Sequence, residues 1–331
     1  MSPKLITVFG ATGAQGSSVL RSLQANTHQT FTLRGITRNP SSDAAKSLSA
    51  SSIELKKADG WDKQSLIAAF SGSWGVFVNT NSDDAVFENP EEKRTEVDLG
   101  KIIVDAAAEA GVEVFVYSGF NSASAITRGK VPVTAFDDKS AIWEYAKSLR
   151  VFKSVPAASA GWYFENFLIQ DLAPIFGGFP FVPGEDGTLV FRAPRWGGNE
   201  DVPFIAIGDD YGDIVHGIFL EPEKWNGKLV QGVSDIKSFE AVVRVFESVT
   251  GKKARFEEIL DWRDLEVYGI RSLETIKCMF GFCQQSEGRY FGKATEAQTA
   301  AELKRLAAEA RGGKGQAAQL ATLGGFFQNF K

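Results

Sequence analysis

The stretch Ile6–Gly16, ITVFGATGAQG, decides how the rest of the chain is read. A β-branched apolar run enters three glycines, Gly10, Gly13 and Gly16, and a helical pattern (Ser17, Ser18, Val19, Leu20, Leu23) leaves them. This is the order in which a buried parallel strand turns into a helix whose first N–H groups face an anion. Those amides, with the positive end of the helix dipole, bind phosphate without a basic side chain. Gly10 is expected to permit the tight turn, Gly13 to let a pyrophosphate approach the backbone, and Gly16 to let helix and strand pack closely. The spacing is G-x-x-G-x-x-G, not the G-x-G-x-x-G of the standard dinucleotide fingerprint. Its weight therefore comes from its position between strand and helix.

A chain of 331 residues suggests two domains of ~150 residues, or one large domain with a lobe attached. With 44% hydrophobic and 23% charged residues the composition is that of an ordinary globular protein. A net charge of −5 argues against a nucleic-acid partner, which clustered Lys and Arg would serve. No window reaches the ~18 uncharged apolar residues of a membrane span. MSPKLITVFG enters a strand at once, so no leader peptide is expected, and the location expected is cytoplasmic, with the nucleus as a second compartment. Cys278 and Cys283 stand in CMFGFC without a second Cys or His pair, which reads as two buried thiols, a redox pair being the lesser alternative. His28 sits in a turn-like NTHQT and His216 on an apolar helical pattern, and no G-x-S-x-G elbow is present, so a Ser-His-Asp hydrolase is poorly supported.

Along the chain, FTLRGITRNP reads as a second strand ending at Arg38. An acidic residue there would take a ribose 2′-hydroxyl, whereas Arg38, followed by Asn39, favours the 2′-phosphate of NADP over NAD. A short helix over 41–52 precedes a third strand, IELKKADGWD, just past which Asp59 and Gly60 fall where adenine would lie; Asp-Gly is also simply a turn. After a helix over 65–70, GVFVNTNS places Asn79, Thr80 and Asn81 at a strand's carboxyl end, the edge where open α/β sheets bind ligands. A helix is expected over 89–111 and a fifth strand over 112–120. Strands alternating with helices describe an α/β fold with a doubly wound parallel sheet. The helix over 134–149 carries Lys139, for which a plain surface charge is the commoner fate. A sixth strand, SVPAASAGWYFENF, has an aromatic, amide-bearing exit at Trp162, Tyr163, Glu165 and Asn166. Residues 1–157, rejoined by 202–232, are expected to form the nucleotide-binding domain, and 158–201 with 233–331 a smaller α/β lobe with a helical tail.

VFGATGAQG, ITRNP, AFDDK and WYFENF, in that order and at compatible spacing, give the chain its resemblance to the NmrA-like family, a branch of the atypical, extended short-chain dehydrogenase/reductases. The resemblance covers the first ~170 residues best, and it implies a Rossmann domain, a smaller lobe and NADP(H) between them. It implies that Gly10, Ala11, Thr12, Gly13, Ala14, Gln15 and Gly16 hold the pyrophosphate and Arg38 with Asn39 the 2′-phosphate. Asp59 and Gly60 would border adenine, Thr80 and Asn81 would flank the nicotinamide-side ribose, and Lys139 would bond that ribose. Tyr163 through Asn166 would close over the nicotinamide. Typical short-chain dehydrogenases carry Tyr-x-x-x-Lys, but here Ala135 stands four before Lys139.

Two functions follow from this. One is an NADPH-dependent reductase of a carbonyl, imine or activated C=C in a small, partly aromatic molecule, with Lys139 or Tyr163 as proton source. The other is a non-catalytic NADP(H) sensor that docks on a regulatory protein such as a transcription factor. Both readings allow a homodimer.

Overall fold

The computed structural model describes residues 3–27, 31–51, 53–89 and 91–331. Its first elements are β1 (Lys4–Phe9), α1 (Ala14–Gln24), β2 (Phe31–Thr37), α2 (Asp43–Ala50), β3 (Glu54–Lys57), α3 (Lys63–Phe70), β4 (Gly75–Val78), α4 (Glu96–Glu109) and β5 (Val114–Tyr117). There follow α5 (Ala123–Thr127), α6 (Thr134–Ser148), β6 (Ala157–Ala160), β7 (Trp162–Tyr163), β8 (Leu189–Pro194), β9 (Val202–Ile205), α7 (Gly212–Leu220) and β10 (Leu229–Gly232). The chain closes with β11 (Asp235–Lys237), α8 (Phe239–Thr250), β12 (Ala254–Ile259), α9 (Arg271–Gln285), α10 (Gln298–Ala310) and α11 (Leu323–Phe326).

Seven strands form the main sheet in the order β10-β6-β5-β4-β1-β2-β3, and every pairing in it is parallel. Such a sheet needs helices on both faces. Val19, Leu20 and Leu23 of α1 pack with Ile214, Val215 and Ile218 of α7 and Leu303 of α10 on one face. Leu66 of α3, Ile103 and Val104 of α4 and Ile142 of α6 cover the other. Strand order reverses between β1 and β4, which opens a crevice at their carboxyl ends.

The sequence expects one continuous sixth strand, but the structure breaks it at Gly161. A Cβ there would lie 2.3 Å from the Pro203 carbonyl oxygen, so only glycine lets the chain cross. β6 stays in the main sheet, while β7 joins β9 and β11 in a separate three-stranded sheet. The helix expected over 89–111 starts at Glu96, because Thr95 and Asp98 form a capping box there. α9 has no counterpart in the sequence reading.

Around the small sheet lies a second core of aromatic rings, including Trp162, Phe167, Phe191, Trp196, Phe204, Phe239 and Phe246. The C-terminal aromatics belong to it. Phe327 is fully buried, with its ring centroid 5.3 Å from that of Phe246. The Ala321 amide donates to Asp210 (2.9 Å) and the Leu323 amide to Asp235 (3.1 Å), which ties the last residues down as a packing arm. Among the described residues no helix is long and apolar enough to cross a membrane. His28 lies outside the described residues.

Candidate functional site

The glycine turn sits at the crevice. Gly10 adopts φ +74°, a conformation L side chains avoid, and a Cβ on Gly16 would be 2.2 Å from the Gly10 carbonyl oxygen. These two glycines are therefore required by the protein's own packing. Gly13 is different: a Cβ there would make only ordinary contact, 3.4 Å from Gly10 O. It faces outward as the N-cap of α1, with no side-chain cap over the first turn. The amides of Ala14, Gln15 and Gly16 lie in that turn, ahead of any intrahelical acceptor, and suit a diphosphate. Ala11 departs from the expectation. Its side chain is fully buried and its N–H donates to the Ile36 carbonyl (3.3 Å), so it supports the turn from behind.

Beside the loop is a cavity of about 330 Å³ lined by Gly10, Thr12, Arg38, Asn39, Asp59, Gly60 and Asn81. Seven of the expected positions thus converge on one space. Arg38 is 71% exposed and donates to Asp84 Oδ2 at 3.3 Å. Asp84, which the sequence did not single out, also caps the turn that follows it. Asp59 Oδ1 accepts the Trp61 amide (2.9 Å), so it shapes its turn while remaining exposed. Gly60 is fixed by packing, since a Cβ would meet Leu99 at 2.7 Å. Asn81 likewise accepts the Asp83 amide at 3.2 Å.

Lys139 is not a surface charge. It is 7% exposed, and its ammonium donates to Glu96 Oε1 (2.6 Å), Thr80 O (2.7 Å) and Thr80 Oγ1 (3.1 Å). The Thr80 hydroxyl donates to Glu96 Oε1 (2.5 Å) and accepts from the Tyr117 hydroxyl (2.8 Å). Burial pushes the Glu96 carboxyl up, but the Lys139 charge and hydrogen bond outweigh it and hold Glu96 below the usual range. Burial, reinforced by Glu96, drives the Tyr117 phenol well above its ordinary value. The sequence placed Thr80 and Lys139 near one another; it gave no sign of Glu96.

The exit after β6 divides its roles. The Tyr163 hydroxyl accepts a hydrogen bond from Gln15 Nε2 at 2.7 Å. Phe164 is a correction: it is fully buried, 5.4 Å from Phe326 between ring centroids, and belongs to the aromatic core. Glu165 accepts the Ile207 (3.2 Å) and Gly208 (2.8 Å) amides and so caps the turn before α7. Asn166 is half-buried, and its carbonyl accepts the Ile169 amide at 3.2 Å.

A second cavity, of about 280 Å³, opens between the start of α6 and α9, lined by Ser82, Thr134, Ala135, Arg271, Thr275 and Cys278. A side chain larger than that of Ala135 would occupy it. Cys278 is only half-buried there, whereas Cys283 is buried. Asp138, one helical turn beyond Ala135, is pushed up to about 6, first by burial and then by the Glu96 charge. A wider depression of about 600 Å³, lined by Lys4, Trp74, Lys153 and Lys224, lies beyond the amino ends of the strands, away from the glycine turn.

Residues 2–310 match the model of the NmrA-like family. The chain is 49% identical over 326 residues to the NmrA-like family domain-containing oxidoreductase hkm9 of Aspergillus hancockii, covering 98% of this chain and 96% of that one. It is 51% identical over 310 residues to the similarly described lnaB of Aspergillus flavus, covering 92% of each. The crystal structure of NmrA, a negative transcriptional regulator, in complex with NADP superposes with a TM-score of 0.72 at 20% identity, over 94% of this chain and 95% of that one.

Proposed function

Because the chain belongs to the NmrA-like family, we propose that it is an NADPH-dependent oxidoreductase that reduces a carbonyl, imine or activated C=C of a small, partly aromatic molecule. The observation that carries this reading is the cavity that Arg38 shares with Gly10 and Thr12 of the turn leading into the uncapped α1. The first-turn amides of α1 would serve a diphosphate beside that turn, and the guanidinium the extra phosphate. Bound NADPH supplies the hydride.

The chain's residues provide the rest. Tyr163, held through its oxygen by Gln15, keeps its hydroxyl proton free to donate, and it is our candidate proton donor. Lys139 has all three ammonium hydrogens engaged, so its proposed role is to hold the end of β4 beside the ribose rather than to give up a proton. The space left by Ala135 is the proposed substrate pocket.

The sensor reading is favoured by the same closed Lys139 network, which leaves that lysine no free proton to hand over. A panel of carbonyls, imines and enones followed at the NADPH absorbance band separates the two. The reductase reading expects turnover with at least one class, lost in Tyr163→Phe while NADPH still binds. No turnover, together with NADP⁺- and NADPH-dependent protease sensitivity, would support the sensor.

A further inference from the structure

Gln15 occupies two sites at once. Its backbone stands in the uncapped first turn of α1, among the amides proposed for a diphosphate, and its side chain reaches β7, 148 residues away in sequence. The side chain is 5% exposed. Its Nε2 donates to the Tyr163 hydroxyl at 2.7 Å, and its Oε1 is buried without a hydrogen-bond partner. A buried amide oxygen of this kind costs free energy until a donor reaches it. Hydroxyl and N–H groups of a dinucleotide seated at the mouth of α1 would supply such a donor.

From this geometry we infer that Gln15 is a positioning residue: it fixes the Tyr163 oxygen so that the hydroxyl proton points at the substrate, and it couples that alignment to cofactor binding through its free Oε1. The inference rests on the reductase reading only for what the proton is used for. In the step it serves, hydride is delivered to carbon, the Tyr163 O–H bond breaks as a proton moves to the substrate heteroatom or α-carbon, and solvent returns a proton to the phenolate. NADPH is oxidised and the substrate reduced by the same electron pair.

The surroundings of Tyr163 define what Gln15 must oppose. The Glu165 carboxylate faces it from the following turn, Tyr211 from the turn before α7, and Tyr290 from the segment after α9. Burial pushes the phenol up, the Gln15 hydrogen bond pulls it down, and the Glu165 charge pushes it up again. Of these, only the Gln15 contact favours the ionised form.

Site-specific replacement of Tyr163 by 3,5-difluorotyrosine, followed by ¹⁹F NMR against pH, tests the coupling directly. In an otherwise wild-type chain, NADP⁺ should shift the resonance. Gln15→Met should raise the titration midpoint by roughly 1 pH unit, about one hydrogen bond to a charged group, and remove the response to NADP⁺. Gln15→Glu, which keeps the shape but adds a like charge, should raise it further. An unchanged midpoint in either folded variant overturns the inference. If the midpoint moves but no substrate turns over, the coupling stands and the reductase reading fails; turnover with an unmoved midpoint defeats the coupling alone.

Discussion

Lys139 Nζ lies 2.6 Å from Glu96 Oε1, an ion pair almost closed to water that joins α6 to the first turn of α4. Removing one member leaves the other charge buried and unpaired, which typically costs about 3–5 kcal/mol. Lys139→Met and Glu96→Gln are each expected to lower the free energy of chemical unfolding by amounts in that range. The double variant should recover part of the loss. Additive losses would show that the two side chains are energetically independent. The pH sign follows from Glu96, whose folded carboxyl is held below its ordinary value. Its contribution is present above the ordinary carboxylate range and fades as pH falls through the folded value.

The glycine turn gives a sharper prediction. Gly16→Ala puts a methyl 2.2 Å from the Gly10 carbonyl oxygen, so the loop must move. Gly13→Ala meets ordinary contacts within the protein and obstructs only what approaches from outside. Thermal unfolding should therefore separate them: Gly16→Ala strongly destabilised, Gly13→Ala close to wild type but poor in dinucleotide binding. Equal destabilisation of both would contradict this division of roles.

Arg38 and Asp84 set a test of cofactor choice. Arg38→Ala should weaken NADPH by roughly 10–100-fold, the range of one hydrogen bond to a charged group, and leave NADH nearly unchanged. Asp84→Asn, which releases the guanidinium from its 3.3 Å partner, should tighten NADPH modestly. Parallel losses for both dinucleotides in Arg38→Ala would remove Arg38 from phosphate recognition.

His216 predicts an acid-labile fold. Asn26 Nδ2 donates to Nε2 (2.8 Å), and Nδ1 shares a 3.0 Å hydrogen bond with Ser22, whose hydroxyl reaches Asp213. Burial lowers this histidine to about 4, so the folded state resists a proton that the unfolded chain accepts from near pH 6.5 downward. Stability should fall as pH drops between about 6.5 and 4, by up to about 3 kcal/mol. His216→Gln should flatten that part of the pH profile; an unaltered slope would assign the loss to other groups.

What the sequence disclosed were features written locally. The strand-to-helix glycine turn, Arg38 at the tip of β2 and the α6 helix each depend on neighbouring residues, and each appears where the residues put it. The pairings were not local. Glu96 falls inside the helix expected over 89–111 with nothing in the sequence to single it out, and only the packing of α4 against α6 brings it to Lys139. Tyr163 and Phe164 are adjacent in sequence, yet the first meets Gln15 and the second turns into the aromatic core. The stretch holding both cysteines buries mainly its second half, Phe280 to Cys283, which blurs the helical period of α9. β9 pairs with β11 and β7 because Gly161 diverts the chain, a steric fact its own residues do not carry.

The measurement that bears most directly on the account is calorimetric titration of NADPH and NADH into the purified protein and its Arg38→Ala variant. One dinucleotide should bind per chain, with NADPH preferred over NADH and that preference erased when the guanidinium is removed. No binding of either dinucleotide, or a preference for NADH that survives in Arg38→Ala, would contradict it.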